Sequence, residues 1–338
     1  MCFVNALVGK VLWGTGDYDG ILCNYGFGAF TLGASDLCNK KKSMAPVLTL
    51  AIPTYNRADV LNETLRRIVN DPACDERVEI IVSDNCSTDH TAQVVAGYPS
   101  VKYYRNEENI RDANFTRLLG YGTGVYLKLV NDTVRFEAGK IEKMITVILQ
   151  TDRSKNNLLF YEDCFVNRGC QIEVTDREEL LKQVSFYTTW TANFGAWRDD
   201  FMALEEKDRY VSTQFLQVDW TYRLASNGKP TIVVFDHYFT IVALNNKGSY
   251  NLFDTFINKY LRLLRDCDFS CGTLWVEKYR LYRHFVLPWF FALKTEKKMS
   301  YSLEGAEAII AKRYWYEPYF LPLIIVWVGR FFIRSVIS

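Results

Sequence analysis

Short apolar runs alternate with stretches whose apolar positions recur every three or four residues. Val47 to Ile52 is dense in β-forming residues and ends at Pro53, so it reads as a buried strand. After the loop Pro53-Thr54-Tyr55-Asn56-Arg57, Asp59 is positioned to cap a helix. In that helix Val60, Leu61, Thr64, Leu65, Ile68 and Val69 form one face. Val78 to Val82 is a second buried strand, running into Ser83-Asp84-Asn85-Cys86-Ser87-Thr88-Asp89, with a helix through Val94 and Val95 behind it. Val101 to Tyr104 is a third strand, Asn114 to Leu119 a helix, and Val125 to Val130 a fourth strand that stops at Asn131-Asp132. Strands and helices taking turns over short loops predict βαβ units and a mostly parallel sheet. In such sheets ligands sit beyond the carboxyl ends of the strands, where the polar clusters of this chain fall.

The C-terminal pattern differs. Asn258 to Leu264 and Val276 to Phe291 read as helices rich in Arg, Tyr and Phe. Pro318 to Gly329 is strongly apolar but shorter than the ~20 residues a membrane span needs, contains Pro322, and is bounded by Glu317 and Arg330. It is expected to lie in the plane of a membrane surface; a true span and a core-packing helix are the alternatives. Charge supports the first reading. From Thr255 onward there are 13 Lys+Arg against 7 Asp+Glu, in a chain whose formal net charge is only +1. A basic and apolar end suits an anionic membrane face, whereas the near-neutral total excludes a general nucleic-acid binder.

The 338 residues allow one large or two modest domains. Residues 1–43 show no sustained period and no ordered signal peptide, and are read as an extension ahead of a start at Met44, or as a flexible arm. The division expected is 1–43, a catalytic domain over 44–250, and a helical region over 251–338. Nine cysteines with no CxxC pair, and only three histidines, give no zinc spacing; the odd count predicts reduced thiols in the cytoplasm. A phosphate-binding P-loop and a GxGxxG turn are missing, and no nucleophile motif lies near a histidine.

A sugar diphosphate makes three demands on a site: the base and ribose must be read by hydrogen bonds, the leaving diphosphate must be neutralised, and the attacking hydroxyl must lose a proton. Asp84 can accept from a base or ribose. Thr54, Asn56 and Arg57 can flank the nucleotide, and Asp132 can hold Mg²⁺ or Mn²⁺ through hard oxygen ligands. Singly, each is as well explained as a cap or turn former. Three clusters on three strand ends argue for the joint reading.

The order Leu50-Ala51-Ile52-Pro53-Thr54-Tyr55-Asn56-Arg57, Ile81-Val82-Ser83-Asp84-Asn85-Cys86-Ser87-Thr88-Asp89, Asn106 to Asn114, then Leu129-Val130-Asn131-Asp132 resembles glycosyltransferase family 2, and within it bacterial transferases of O-antigen and capsule synthesis. The clear match covers about Leu48 to Asp132. The resemblance implies an α/β, GT-A-type nucleotide-binding fold with a mostly parallel central sheet, and inversion at the anomeric carbon. It also implies a nucleotide-sugar donor, UDP-linked by preference, and a polyprenyl-linked or oligosaccharide acceptor at the cytoplasmic face of the membrane. It assigns Pro53, Thr54, Asn56, Arg57, Asp84 and Asn131 to the nucleotide sugar and Asp132 to the metal. Two positions depart from the family. The acidic triplet is reduced to Asn131-Asp132-Thr133, and Arg111 stands where glycine is frequent, either as a diphosphate contact or as a surface side chain. Asp219, beside the Leu216, Trp220 and Leu224 stripe of a helix, lies where the family's base falls; pairing with Arg223 is the bland alternative, and Asp199 and Asp200 are the runners-up. Trp190 and Trp197 are expected either to stack on acceptor sugars or to fill core. A nucleotidyltransferase and an inactive nucleotide- or glycan-binding homologue are the competing functions.

Overall fold

The computed structural model describes residues 45–163, 169–241, 250–295 and 301–337; the expectation for residues 1–43 and a start at Met44 lies outside them. Its centre is a five-stranded sheet in the order β3-β2-β1-β4-β8. The strands are β1 (Leu48–Thr54), β2 (Val78–Asp84), β3 (Val101–Arg105), β4 (Tyr126–Leu129) and β8 (Gly195–Trp197). The first four run parallel and β8 runs antiparallel to β4. Helices α1 (Ala58–Val69), α2 (Thr91–Ala96) and α3 (Ala113–Tyr121) make the crossovers.

Both faces of this sheet are covered, which is why its strands read as apolar runs rather than as alternations. Leu48, Leu50 and Ile52 of β1 and Ile80 and Val82 of β2 enter one core with Leu61, Leu65 and Ile68 of α1. Ala51 and Ile81 enter the core on the opposite face with Leu118, Leu119 and Trp220. Each fully buried Leu or Ile on these faces contributes about 2 kcal/mol.

A second sheet, β6-β9-β7, consists of β6 (Asn157–Glu162), β7 (Gln171–Val174) and β9 (Thr231–Asp236). Side chains join it to the first. Tyr126 Oη donates to Leu158 O (2.7 Å), Trp197 Nε1 to Asn156 O (2.7 Å), and Lys128 Nζ to Phe160 O (3.4 Å), Phe194 O (3.2 Å) and Ala192 O. Alternate carbonyls of β6 are thus met by alternate residues of β4, since both strands repeat every two residues. A short ribbon pairs β5 (Val134–Phe136), directly after Asp132, with β10 (Phe239–Ile241).

Later helices are α4 (Lys140–Gln150), α5 (Arg177–Val184), α6 (Arg198–Ala203) and α7 (Leu216–Leu224). A π-helical segment, Asp254–Tyr260, leads into α8 (Leu261–Asp266) and α9 (Cys271–Leu281). The chain ends in α10 (Leu287–Thr295), α11 (Ala306–Tyr314) and α12 (Phe320–Ile337). These C-terminal helices share one core with the second sheet, where Leu159, Tyr161 and Val233 meet Phe256, Phe285 and Tyr314. No helix among the described residues is long and apolar enough to cross a membrane.

Candidate active site

Strand order reverses at β1: β2 lies on one side and β4 on the other, both reached by crossovers from the same end. Helices on opposite faces leave a crevice beyond the carboxyl ends at such a point. Register brings the sequence motifs there. Thr54 pairs with Asp84, and Asp84 with Arg105. Thr54 and Asp132 are joined directly, Thr54 Oγ1 donating to Asp132 Oδ2 (3.0 Å). Arg57 Nη1 donates to the other oxygen of Asp132 (2.9 Å). The Asp132 side chain is 2% exposed and that of Arg57 43%, so the pair has a buried anion and a cation at the surface of the crevice.

Asp84 repeats the arrangement. It is 1% exposed; Oδ1 accepts from the Ser87 amide (2.8 Å), and Oδ2 accepts from Tyr103 Oη (2.6 Å) with the Arg105 guanidinium 3.6 Å away. Burial raises the Tyr103 phenol well above its ordinary range, and its hydrogen bond to Asp84 adds to the rise.

The loops around these carboxylates are fixed by their own side chains. Asn56, at φ 50°, gives its amide hydrogen to Ser87 Oγ (2.8 Å) and accepts at Oδ1 from the Thr88 amide (2.8 Å). An asparagine tolerates this left-handed backbone better than most residues. The first turn of α1 is closed by Asp89, whose Oδ2 accepts from the Ala58 amide (3.0 Å); Asp59, expected as the cap, instead faces His90 at 3.1 Å. Asn85 accepts at Oδ1 from the Ile110 amide (3.0 Å) and gives Nδ2 to Asn109 Oδ1 (2.9 Å) and Arg111 O (3.1 Å). The segment bearing Arg111, itself exposed at φ 53°, is thereby held against β2. Thr64 of α1 donates to Asp132 O (2.8 Å) and fixes its backbone.

Among the described residues no three His, Cys, Asp or Glu side chains cluster as a ligand set. Asp132 is the one carboxylate, and both its oxygens already accept hydrogen bonds. Beside it, Asn131 Oδ1 is buried without a partner, an orphaned hard oxygen. One carboxylate and one amide oxygen fit Mg²⁺ or Mn²⁺ only where the substrate's phosphates complete the shell; they do not make a cage from protein alone.

The acceptor-side expectations fare differently. Asp219 is fully buried on α7, with Oδ1 accepting from Arg209 Nε (3.1 Å) and Nη2 and Oδ2 from Arg223 Nη1 (3.4 Å). The carboxylate expected as a base is thus occupied by two guanidinium groups. Asp199 and Asp200 follow β8, and because β8 is antiparallel they lie at the amino end of β4, away from the crevice. Trp197 lies at that same end, 3% exposed, and Trp190, 7% exposed, packs edge-on against Phe239. Both tryptophans are core in this structure, not open stacking surfaces.

Sequence reading missed Tyr103 and Arg105, which hold Asp84, and Thr64, which holds Asp132. Pairing of β3 with β2 was the signal for the first two. It also missed Glu162, whose Oε2 accepts from the amides of Tyr238 (2.8 Å) and Phe239 (2.9 Å). Those contacts fix β10, β10 pairs β5, and β5 fixes the chain just after Asp132. Burial raises the Glu162 carboxyl above the usual range, opposed by these donors and by His237.

Comparison with known proteins agrees with this geometry. A validoxylamine A glucosyltransferase of Streptomyces hygroscopicus subsp. jinggangensis is 41% identical over 69 residues, 20% of this chain and 16% of that protein. The abequosyltransferase of Salmonella typhimurium is 34% identical over 87 residues, 24% of this chain and 26% of its own length. The matched part is therefore well under two thirds of either relative. Among solved structures, a fragment of S. aureus TarS in complex with UDP superposes with a TM-score of 0.52 at 20% identity, covering 78% of each chain. The same fragment with UDP-GlcNAc gives 0.52 at 17% identity. Residues 49–169 match the profile described as Glycosyl transferase family 2. Residues 49–169 are thus similar to a glycosyl transferase family 2 domain, and the chain has a GT-A-type α/β fold.

Proposed function

We propose that this protein transfers a sugar from a nucleotide-sugar donor, preferentially a UDP-sugar, to a glycan acceptor in bacterial surface-polysaccharide synthesis, with inversion at the anomeric carbon. The observation that carries the reading is the pair of buried carboxylates, Asp84 and Asp132, each with a half-exposed arginine, at the switch point of the sheet. Asp84 offers a fixed acceptor for an imide N–H such as uracil's. Thr54 and Thr64 hold Asp132 in place. Pro53 and Asn56 shape the loop against which the nucleotide lies. Arg57, with Arg111 on the facing loop, supplies positive charge where a diphosphate would leave. Asn131 and Asp132 are the residues that would hold Mg²⁺ or Mn²⁺, which when bound offsets charge on the leaving group. The catalytic domain is read as 44–250 and the helices of 251–338 as the part that meets the cytoplasmic membrane face, where a polyprenyl-linked or oligosaccharide acceptor would be presented.

A second reading, a nucleotide-binding homologue without turnover, is favoured by the occupied carboxylate of Asp219. Donor hydrolysis and calorimetric binding over UDP-, GDP-, CMP- and dTDP-sugars, with and without Mn²⁺, separate the two. One donor bound and slowly hydrolysed, with both lost in Asp132→Ala, supports transfer. Binding without hydrolysis for every donor and acceptor supports the second reading, and no binding at all removes both.

A further inference from the structure

The C-terminal helices carry two features that the crevice chemistry does not use. Between the π-helical segment Asp254–Tyr260 and α11 is a cavity of about 310 Å³, lined by Asn258, Ala308, Ile309, Lys312, Arg313 and Tyr316. The Nε of Arg313 is buried without a hydrogen-bond partner, and neither Lys312 nor Arg313 has an ion pair among the described residues. Acids on the adjoining elements are engaged elsewhere. Asp254 accepts from Asn258 (2.9 Å), Glu307 from Lys294 (2.8 Å), and Glu317 from Lys278 and from Trp275 Nε1 (3.0 Å). A buried guanidinium donor left unpaired costs free energy comparable to a lost charged hydrogen bond. An anion entering the cavity would meet the positive charge of both side chains.

The second feature adjoins the first along the chain. Tyr316 lines the cavity, is fixed by Lys278 Nζ (2.9 Å), and is in ring contact with Trp315, which is 68% exposed. Then α12 turns Leu323, Ile324 and Trp327 inward while Leu321, Ile325 and Val326 face outward, 63%, 69% and 47% exposed. From Phe320 to Gly329 the helix has no polar side chain, so its outward face has none of the polarity of a water-facing helix. Unpaired cations next to an apolar, aromatic face suit a surface that is anionic outside and apolar beneath.

We propose that the Lys312/Arg313 cavity binds the phosphate of an anionic lipid headgroup while the outward face of α12 enters the adjoining acyl layer. This deepens the membrane reading above and rests on it. The test is sedimentation of the full chain with vesicles of phosphatidylcholine alone and mixed with phosphatidylglycerol, with UDP binding measured in parallel. Wild type is expected to partition more strongly onto the mixed vesicles. The pair Lys312→Ala/Arg313→Ala should lose about tenfold or more of that preference, since each cation near an anionic surface contributes on the order of 1 kcal/mol. Its UDP binding should stay unchanged. Ile325→Ser should weaken partitioning onto both vesicles. A double variant that partitions like wild type overturns this inference and leaves the membrane reading standing. Wild type that binds neither vesicle removes both. Inorganic phosphate that binds wild type but not the double variant, in protein with no preference for the anionic vesicles, makes the cavity a free-phosphate site and overturns the lipid assignment.

Discussion

At the scale of single residues, the site is organised by pairing buried anions with cations that solvent can reach. Asp132 is held by Thr54 and Arg57, so Arg57→Ala leaves a buried carboxylate with one donor. We expect UDP-sugar affinity to fall by about 10- to 100-fold, near 1.5–3 kcal/mol, read by calorimetry against wild type. Asp219 is paired with two arginines whose side chains are 37% and 23% exposed. Solvent at those guanidinium groups discounts the usual cost of breaking a buried pair to about 2 kcal/mol. Asp219→Asn should therefore lower the melting temperature while UDP binding persists. A variant with wild-type stability and turnover reduced a thousandfold would restore Asp219 as the base.

At the scale of elements, the two sheets meet through side chains that no local pattern announces. Lys128 has strand-forming neighbours and shares a face with Tyr126, yet it is fully buried with carbonyl partners. Burial brings its ammonium down to about 7, opposed by Glu162. Gly195 of β8 lies so close to β4 that a Cβ there would overlap the Tyr126 ring and hydroxyl. Gly195→Ala is expected to cost about 1–3 kcal/mol by overpacking, measured by chemical denaturation. The same substitution in a Tyr126→Phe background should cost less, because the hydroxyl is part of the obstruction. Equal costs in the two backgrounds would place the strain elsewhere.

At the scale of the whole molecule, the C-terminal helices are tied to the segment before β8 by a buried acid. Glu277 of α9 accepts from Ser185 Oγ (2.7 Å) and Tyr260 Oη (2.9 Å), and burial pushes its carboxyl up to about 7, against the lowering effect of those donors. A raised folded-state value means that the protonated acid favours folding. The contribution is present in full below the ordinary value of 4.5 and is lost as pH rises through about 7. Wild type should therefore lose stability relative to Glu277→Gln over that window, by on the order of 3 kcal/mol at most. Parallel pH profiles of the two melting temperatures would refute it.

What the sequence determined by itself was local and periodic. Strands β1 to β4, helices α1 and α3, and the placement of Thr54, Arg57, Asp84 and Asp132 at strand ends follow from apolar runs, helical spacing and turn residues, which act between near neighbours. Tertiary structure alone decided what depends on a partner distant in the chain. The antiparallel run of β8 put Asp199, Asp200 and Trp197 at the wrong end of the sheet for the crevice. The Arg209 contact turned Asp219 inward. Asp89 replaced Asp59 at the start of α1, and the carbonyls of β6 drew Lys128 into the core. In each case the residue type was legible, but which group would satisfy it was set by partners outside the residue's own element, and a buried polar atom takes whichever partner the fold brings to it.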